Sequence, residues 1–375
     1  NGFGDVMSFP IHKNADFIKD AVNLHLALVN QCFFLAFRIL ENGLFSTMQD
    51  LGRFGYQSKG ITVSGAMDQI SLRLANILVG NDENFPCIEM TLKGEKILFE
   101  SDAVIAITGA DMSFKINGKN IEINKTIFIN AGDILDSGFS QNKKLAYLAI
   151  KGGFKIKKVL GSYSTFLRAK IGGYKGRRLL KGDLIEFPDL EESFSKTISV
   201  DKSIIKDVYS DKKIRFTYSS EKNRFTQSGL KTFTDSSYKI ENDSDRMGYR
   251  FSGNTIEHKT DGDIISGGIN FGTIQVPGNG NPIVMMADRQ TTGGYTKIGQ
   301  VILADLPYLA QKKPQESVKF EAIDSKEAVK LWIDINKNIE SWKNNIEYNS
   351  HKLKTCKRYT IRINNKSYNI KAMEV

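Results

Sequence analysis

From residue 37 onward, the hydrophobic residues come in short runs that Gly, Asn and Asp interrupt. The runs are rich in β-branched and aromatic side chains, and examples lie within AVIAITG (103–109), KTIFINAGD (125–133) and LAYLAIKGG (145–153). This pattern predicts a mainly β protein with antiparallel strands and few helices. Asn117-Gly118 lies between two alternating runs, which predicts a tight hairpin turn there.

Two longer segments show the spacing of an amphipathic helix. The first follows Asp68, which is placed to cap it, and ends at Gly80. The second covers 324–348 and has one apolar stripe, which we expect to dock on the body of the protein. The stripe consists of Ala328, Trp332, Ile335, Ile339, Trp342 and Ile346. A shorter helical turn is predicted over 306–309.

These patterns divide the chain into six segments. Residues 1–36 form an unassigned N-terminal extension, with a helix predicted over 15–27. A first β-rich lobe covers 37–190, a polar linker covers 191–211, and a second β lobe covers 212–323. The amphipathic helix 324–348 follows. The last segment, 357–375, is predicted to be an incomplete β unit with two strands around Asn364-Asn365.

Composition narrows the class of protein. A chain of 375 residues usually folds as two or three domains, and 41% hydrophobic with 25% charged residues excludes wholesale disorder. The three cysteines and four histidines are widely separated, so we expect neither a disulfide framework nor a metal site. The compartment is expected to be the reducing cytoplasm. The apolar stretch over 26–40 is too short and too polar for a membrane span, and it lacks the features of a signal peptide.

The formal net charge of +10 is concentrated locally. Residues 151–181 contain ten Lys or Arg and no acid, and residues 351–375 contain seven Lys or Arg and one acid. Such stretches fit a nucleic-acid surface, a groove for anionic ligands, or solvated faces of a lysine-rich protein. No nucleic-acid-binding motif accompanies the charge, so a nucleic-acid partner is not expected.

Candidate chemistry is concentrated in three segments, while Walker A, Gly-x-Ser-x-Gly and His-Glu-x-x-His motifs are absent. The first segment, 50–68, is glycine-rich and carries Arg53, Ser64 and Asp68; the alternative is a turn-rich connection into a helix. The second, 242–253, carries Arg246 and Arg250; the alternative is an exposed ion-paired turn.

The third segment, 267–295, holds an apolar strand, PIVMMA, that delivers polar side chains at its end. Asp288 can orient or deprotonate an amide nitrogen, and the Thr hydroxyls and Gly-Gly N–H groups can hold an oxyanion. The alternative is a hairpin with Gly-Gly as its turn. We predict catalytic roles for Asp288, Gln290, Thr291, Thr292 and Tyr295. We predict substrate-binding roles for Arg53, Ser64, Asp68, Arg246, Arg250, Gln275, Gly293 and Gly294.

In this order, these segments resemble the allophanate hydrolase subunit 2 family, also called the biotin-dependent carboxyltransferase family. Members include the C subunit of the ATP-dependent 5-oxoprolinase, the antagonist of the sporulation-kinase inhibitor, and the second half of the carboxyltransferase region of urea carboxylase. The resemblance covers roughly residues 37–320. Its motifs are LFSTMQDLGRFGYQ, SGAMDQISLRLANILVGN, ITGAD, YLAIKGGF, VLGSYSTF, DSDRMGYRFSG and GTIQVPGNGNPIVMMADRQTTGGYTKIG.

The resemblance implies a cyclophilin-like β-barrel architecture in two lobes, and a partner of the subunit 1 family, which is similar to the B subunit of 5-oxoprolinase. In oxoprolinase it also implies a lactam-utilisation-type A subunit. The implied reaction is the ATP-driven opening of 5-oxoproline to glutamate by the complex. The alternatives are carboxyl transfer from carboxybiotin on a carrier to a urea-like or amide substrate, and a regulatory binding protein that antagonises a histidine-kinase inhibitor.

The C-terminal strands resemble the opening of a biotinyl-carrier domain, but the biotin-accepting Met-Lys-Met turn is absent. No cofactor is therefore expected to be attached covalently to the residues of this chain. The alternative is an edge hairpin without a carrier function.

Overall fold

The structure, a computed structural model, describes residues 35–188, 197–346, 357–363 and 366–372. The helix predicted over 15–27 and most of the predicted N-terminal extension lie outside these residues. Within them the protein is mainly β with few helices, as the sequence predicts. The first lobe contains helix α1 (Gln69–Leu78) and eleven strands: β1 (Ala36–Glu41), β2 (Phe45–Gln49), β3 (Cys87–Thr91), β4 (Lys96–Phe99), β5 (Ala103–Gly109), β6 (Lys115–Ile116), β7 (Lys119–Asn120), β8 (Thr126–Ile129), β9 (Ile134–Asp136), β10 (Leu145–Ile150) and β11 (Leu184–Glu186).

Two antiparallel sheets enclose the core of the first lobe. One has the strand order β11-β1-β4-β9-β6-β7, and the other has the order β2-β3-β10-β5-β8. Strands β5 and β10 are buried on both faces, which explains why their sequences are continuous apolar runs. Along β10, Ala146 and Leu148 face the first-lobe core, whereas Leu145 and Tyr147 face a second core that includes α1. The second sheet therefore separates the two cores.

Two local predictions in the first lobe are confirmed. The Asp68 carboxylate accepts a hydrogen bond from the Ser71 backbone N–H at 2.9 Å, which caps α1 as its sequence indicates. Asn117 and Gly118 have φ values of 50° and 79°, which are the left-handed conformations that a two-residue hairpin between β6 and β7 requires.

The second lobe is built around a closed barrel. Its strands are β12 (Ile214–Tyr218), β13 (Ser237–Ile240), β14 (Gly248–Ser252), β15 (Asp263–Gly268), β16 (Thr273–Val276), β17 (Ile283–Met285), β18 (Thr292–Val301) and β19 (Ser317–Ala322). The order β12-β19-β13-β14-β17-β16-β18 closes because β12 also pairs with β18, and β15 extends the sheet beyond β18. The barrel architecture expected from the family resemblance is confirmed here.

The segment predicted as a linker, 191–211, contains a helix. Helix α2 (Lys202–Tyr209) is capped by Asp201, whose carboxylate accepts from the Ser203 N–H at 2.8 Å. Ile204 and Val208 are buried against the core that includes α1, and Ile205 and Tyr209 also pack against it. The other residues of the helix are polar, which explains why the segment resembles a linker in sequence. The β-rich interpretation of 212–323 likewise assigned no helix to α3 (Gln227–Asp235), whose cap is Thr226.

The remaining helices lie where the sequence places them. Helix α4 (Leu306–Ala310) is the predicted short turn, and α5 (Ser325–Asn345) is the predicted amphipathic helix, capped by Asp324. Helix α5 docks on the body: Ile335 and Ile339 are buried, and Trp332 and Trp342 pack against the core. Strands β20 (Lys357–Ile363) and β21 (Lys366–Ala372) pair as the predicted antiparallel hairpin.

Candidate functional site in the cleft between the lobes

Arg246 of the second lobe binds one carboxylate from each lobe, Asp288 from its own lobe and Glu89 from the first. Its guanidinium donates to both oxygens of Asp288, Nε to Oδ2 at 2.9 Å and Nη2 to Oδ1 at 3.1 Å. Its Nη1 donates to Glu89 of β3, and Nη2 also donates to the Gly65 carbonyl at 2.6 Å. Burial opposes the positive charge, but the adjacent Asp288 and Glu89 carboxylates together raise the pKa of Arg246 above its usual value. Asp288 and Arg246, which the sequence predicts separately as a catalytic and a substrate-binding residue, therefore form a fixed ionic centre with Glu89.

A buried hydrogen-bond chain continues from this centre into α1. Glu89 accepts from the Tyr147 hydroxyl at 2.7 Å, and that hydroxyl accepts from the Asp68 backbone N–H at 2.8 Å. The Asp68 carboxylate also accepts from Tyr209 of α2 at 2.8 Å and from Gln311 at 2.7 Å. Asp68 is fully buried, and it lines neither of the two cavities that the structure forms near Asp288 and Arg250. Asp68 therefore connects the start of α1 to Tyr209 and Gln311, and its side chain has no surface in either cavity.

A cavity of about 280 Å³, here called the small chamber, opens beside the ionic centre. Its walls are largely apolar and include Phe45, Met67, Phe166 and Leu167. The charged side chains on its surface are Lys144, Arg168, Asp245, Arg246 and Asp288. A small, mostly apolar cavity with a few convergent polar groups is typical of a site for a small molecule.

A second cavity of about 540 Å³, here called the large chamber, adjoins the small one. The two chambers share Arg168, Asp245 and Met247, and together they form the cleft. Four predicted site residues line the large chamber: Arg250, Gln275, Gln290 and Tyr295. The Arg250 guanidinium lies 3.2 Å from Asp243 in an exposed ion pair, so the exposed-turn alternative describes this side chain in part.

Gln275 presents an unpaired donor within the large-chamber wall. Its side chain is 1% exposed, and its Nε2 has no hydrogen-bond partner among the described residues. A Cβ added at Gly293 would lie 2.7 Å from this atom, closer than real Cβ contacts allow. Glycine at 293 therefore leaves room for the Gln275 amide, whose free N–H group can bind an oxygen acceptor.

The residues around the two predicted glycines lie in a strand. Thr292, Gly293 and Gly294 begin β18, with Gly293 opposite Gly267 of β15, and the Thr291 carbonyl accepts from the Ile269 N–H at 3.0 Å. The alternative of a Gly-Gly turn is thus wrong. Thr292 is exposed, and an oxyanion role for these groups stays a prediction.

Arg53 and Ser64 are buried and line neither chamber. The buried Arg53 guanidinium donates to the Val159 carbonyl at 2.9 Å and the Ser164 carbonyl at 2.8 Å. Its Nη1 and the Ser64 hydroxyl have no partner among the described residues. Burial lowers the pKa of Arg53, against the opposing influence of Asp50 and Asp288. Arg53 therefore positions the 159–164 loop, and its predicted substrate contact stays a prediction.

Lys144 and Glu89 are among the charged residues of the site that lie outside the three candidate segments of the sequence. Lys144 is 7% exposed, and burial lowers its pKa to about 8 despite the Glu89 and Asp245 carboxylates. It directly precedes the apolar run of β10, and the neighbouring sequence gives no sign that this lysine is buried rather than exposed. Glu89 offers a clearer signal, because it is a lone acid inside the buried strand CIEMT. Among the described residues, no group of three or more His, Cys, Asp or Glu is arranged to hold a metal ion.

A family model, the carboxyltransferase domain, subdomain A and B, matches residues 59–322. The chain belongs to this family. A relative from Haemophilus influenzae, named as the C subunit of 5-oxoprolinase, is 41% identical over 293 residues, 78% of this chain and 93% of that relative. Another of the same name from Escherichia coli is 36% identical over the same shares. The crystal structure of the K. lactis urea amidolyase has a TM-score of 0.78 at 31% identity and covers 82% of this chain, which spans 20% of that protein.

The family membership expected from the sequence motifs is therefore confirmed. All three candidate segments except residues 50–58 fall within the matched range. In the described part of the chain, no helix has the length and apolar character that crossing a membrane requires.

Proposed function

We propose that this chain is the C subunit of an ATP-dependent 5-oxoprolinase. In this complex, water opens the lactam C–N bond of 5-oxo-L-proline to give L-glutamate, and ATP hydrolysis drives the reaction. The observation that carries the proposal is the 41% identity to a relative of this name, across 93% of its length. We propose that the chain acts in the cytoplasm with a partner similar to the B subunit and with a lactam-utilisation-type A subunit, and that it is inactive alone.

The small chamber has chemistry suited to a lactam. Asp288 is fixed by the Arg246 fork, which leaves its outer lone pairs available to a ligand N–H in the chamber. When Asp288 binds the N–H of an amide, the carbonyl of the same amide can point toward the N–H donors that line the cleft. The apolar walls exclude water and strengthen each of these contacts. The chain's own contribution is thus to bind and orient the amide group.

The test is glutamate release from 5-oxoproline and ATP by the chain co-expressed with its two proposed partners. Asp288→Asn keeps the shape of the side chain and removes its charge, so we expect turnover to fall about 100-fold or more while the complex still assembles. Asp235→Asn, at the exposed end of α3, is the matched control and should behave as the wild type. A well-assembled wild-type complex without turnover would contradict the proposal.

A second candidate function is carboxyl transfer from carboxybiotin to a urea-like or amide substrate. It is favoured by the structural similarity to the K. lactis urea amidolyase and by the β20–β21 hairpin that follows α5. Biotin would then reside on a carrier. Carboxylation of urea by the complex, measured with carboxybiotin in place of ATP and 5-oxoproline, distinguishes the two functions.

A further inference from the structure

We propose that Lys144 binds the carboxylate of the substrate in the small chamber, so that the site selects anionic amides over neutral ones. The inference rests on the proposed function for the identity of the substrate. It assigns to the chamber a chemical preference that separates 5-oxoproline from uncharged lactams and urea.

The first support is the position of the Lys144 ammonium. The side chain lines the small chamber but is 7% exposed, and its Nζ donates to the Tyr249 hydroxyl at 2.9 Å. That hydroxyl in turn donates to the Ala310 carbonyl at 2.9 Å, so it receives the lysine N–H on a lone pair. The centroid of the Tyr249 ring lies 4.4 Å from the ammonium. One of the three N–H donors of Lys144 therefore has an identified acceptor, and the others remain for a ligand.

The second support is the missing counter-ion. Across residues 35–188 and 197–346, no carboxylate lies within 4 Å of Lys144 Nζ. Asp245 and Glu89 influence it only from a greater distance, and both Glu89 and Asp288 are already paired with Arg246. Burying an ammonium without a paired anion costs free energy of folding. A carboxylate that binds in the chamber would pair with the ammonium and offset this cost.

The third support is rigidity. The Lys144 backbone N–H donates to the Gln311 carbonyl at 3.0 Å, and its carbonyl accepts from the Leu92 N–H at 2.8 Å. These bonds fix the residue at the start of β10, between the two lobes. Arg168, which is shared by the two chambers, adds positive charge next to the same space. Lys144 is thus presented on a rigid element, as a specificity-determining group requires.

The charge of the chamber sets the direction of the pH dependence. The groups that face Lys144 are Glu89 from β3, Asp245, Arg246 and Tyr249 from β14 and the segment before it, and Asp288 and Arg168 across the chamber. Because burial brings the pKa of Lys144 to about 8, the ammonium is lost as pH rises through 8. Binding of a carboxylate should weaken over that interval, whereas binding of a neutral lactam should not.

Competitive labelling of the assembled complex tests the proposal without requiring turnover. The modification rate of Lys144 by an amine-directed reagent is followed by peptide mass spectrometry, with 5-oxoproline or 2-pyrrolidinone as the probe. The latter has the same lactam ring without the carboxylate. We expect 5-oxoproline to protect Lys144 and 2-pyrrolidinone to leave it reactive. Equal protection by the two, or protection by neither, would overturn the inference.

A variant supplies the second measurement. Lys144→Met should raise KM for 5-oxoproline about 10- to 100-fold, because a charge-assisted hydrogen bond is lost. Lys143→Met is the matched control, since Lys143 stacks on Tyr209 at 3.7 Å and lines neither chamber. An unchanged KM in Lys144→Met would refute the carboxylate contact while leaving the oxoprolinase function standing. A wild-type complex that lacks turnover would instead contradict that function, and labelling would then decide the role of Lys144 alone.

Discussion

Gly293 shows how a missing side chain can determine the shape of the site. The Gln275 side chain lies in the wall of the large chamber, and a Cβ at position 293 would meet its Nε2 at 2.7 Å and come closer still to Ile269 Cδ1. Neighbouring Gly268 is different, because no atom lies within 4 Å of a Cβ built there and its backbone is not left-handed. The two glycines lie on adjacent paired strands and thus offer a matched comparison.

We expect Gly293→Ala to lower kcat/KM for 5-oxoproline in the assembled complex about 10- to 100-fold, because the Gln275 amide is displaced from the chamber wall. Gly268→Ala should leave it nearly unchanged. Steady-state kinetics of both variants provides the measurement. Equal kinetics of the two variants would contradict the prediction that the contact of Gly293 with Gln275 shapes the site.

Only part of the site could be predicted from the sequence, because some of its residues lie in local motifs and others do not. Asp288 and Arg246 belong to dense polar motifs, and the structure joins them at 2.9 Å. Lys144 lies more than 100 positions from either in the sequence, within a common pattern of lysines before a strand. Its burial results from the packing of Tyr249 and Gln311 from the second lobe, which no local pattern encodes.

At the scale of elements, prediction succeeded where the determining signals are local. The caps of α1 and α5 and the Asn117-Gly118 turn need only nearby residues. Helix α2 was missed because it buries only Ile204 and Val208 within a polar segment. Closure of the barrel was expected from family resemblance, not from pattern, because β12 pairs with β18 about 80 residues later in the chain.

Docking of α5 can be measured through two of its isoleucines. Ile339 is fully buried, whereas Ile333 on the same helix is 44% exposed. Ile339→Ala should lower the free energy of unfolding by about 2–5 kcal/mol, because it removes buried methyl groups and leaves a cavity. Ile333→Ala should change it by about 0.5 kcal/mol or less. Urea unfolding of the full chain compares them, and similar small effects would contradict a docked helix.

At the scale of the whole molecule, the two lobes are joined by the core that includes α1 and by the ion pairs of Arg246. The main hydrophobic cluster contains Leu145 and Tyr147 from the first lobe together with Phe216 and Tyr249 from the second. Arg246 lies where the lobes meet, between Glu89 and Asp288. Because the cleft is formed from both lobes, the geometry of its chambers depends on this contact.

Arg246→Met should therefore destabilise the protein far more than Arg250→Met does. Removing Arg246 leaves two buried carboxylates without their cation, for an expected cost of about 3–5 kcal/mol at pH 8. The pair of Arg250 and Asp243 is exposed, so its loss should cost about 0–1 kcal/mol. The Arg246→Met deficit should shrink at pH 5, since the folded variant can take up protons on its orphaned carboxylates as pH falls. Denaturant unfolding at both pH values measures this loss in the free energy of unfolding. A loss of equal size at pH 5 and pH 8 would show that Arg246 stabilises the contact between the lobes through packing rather than through its charge.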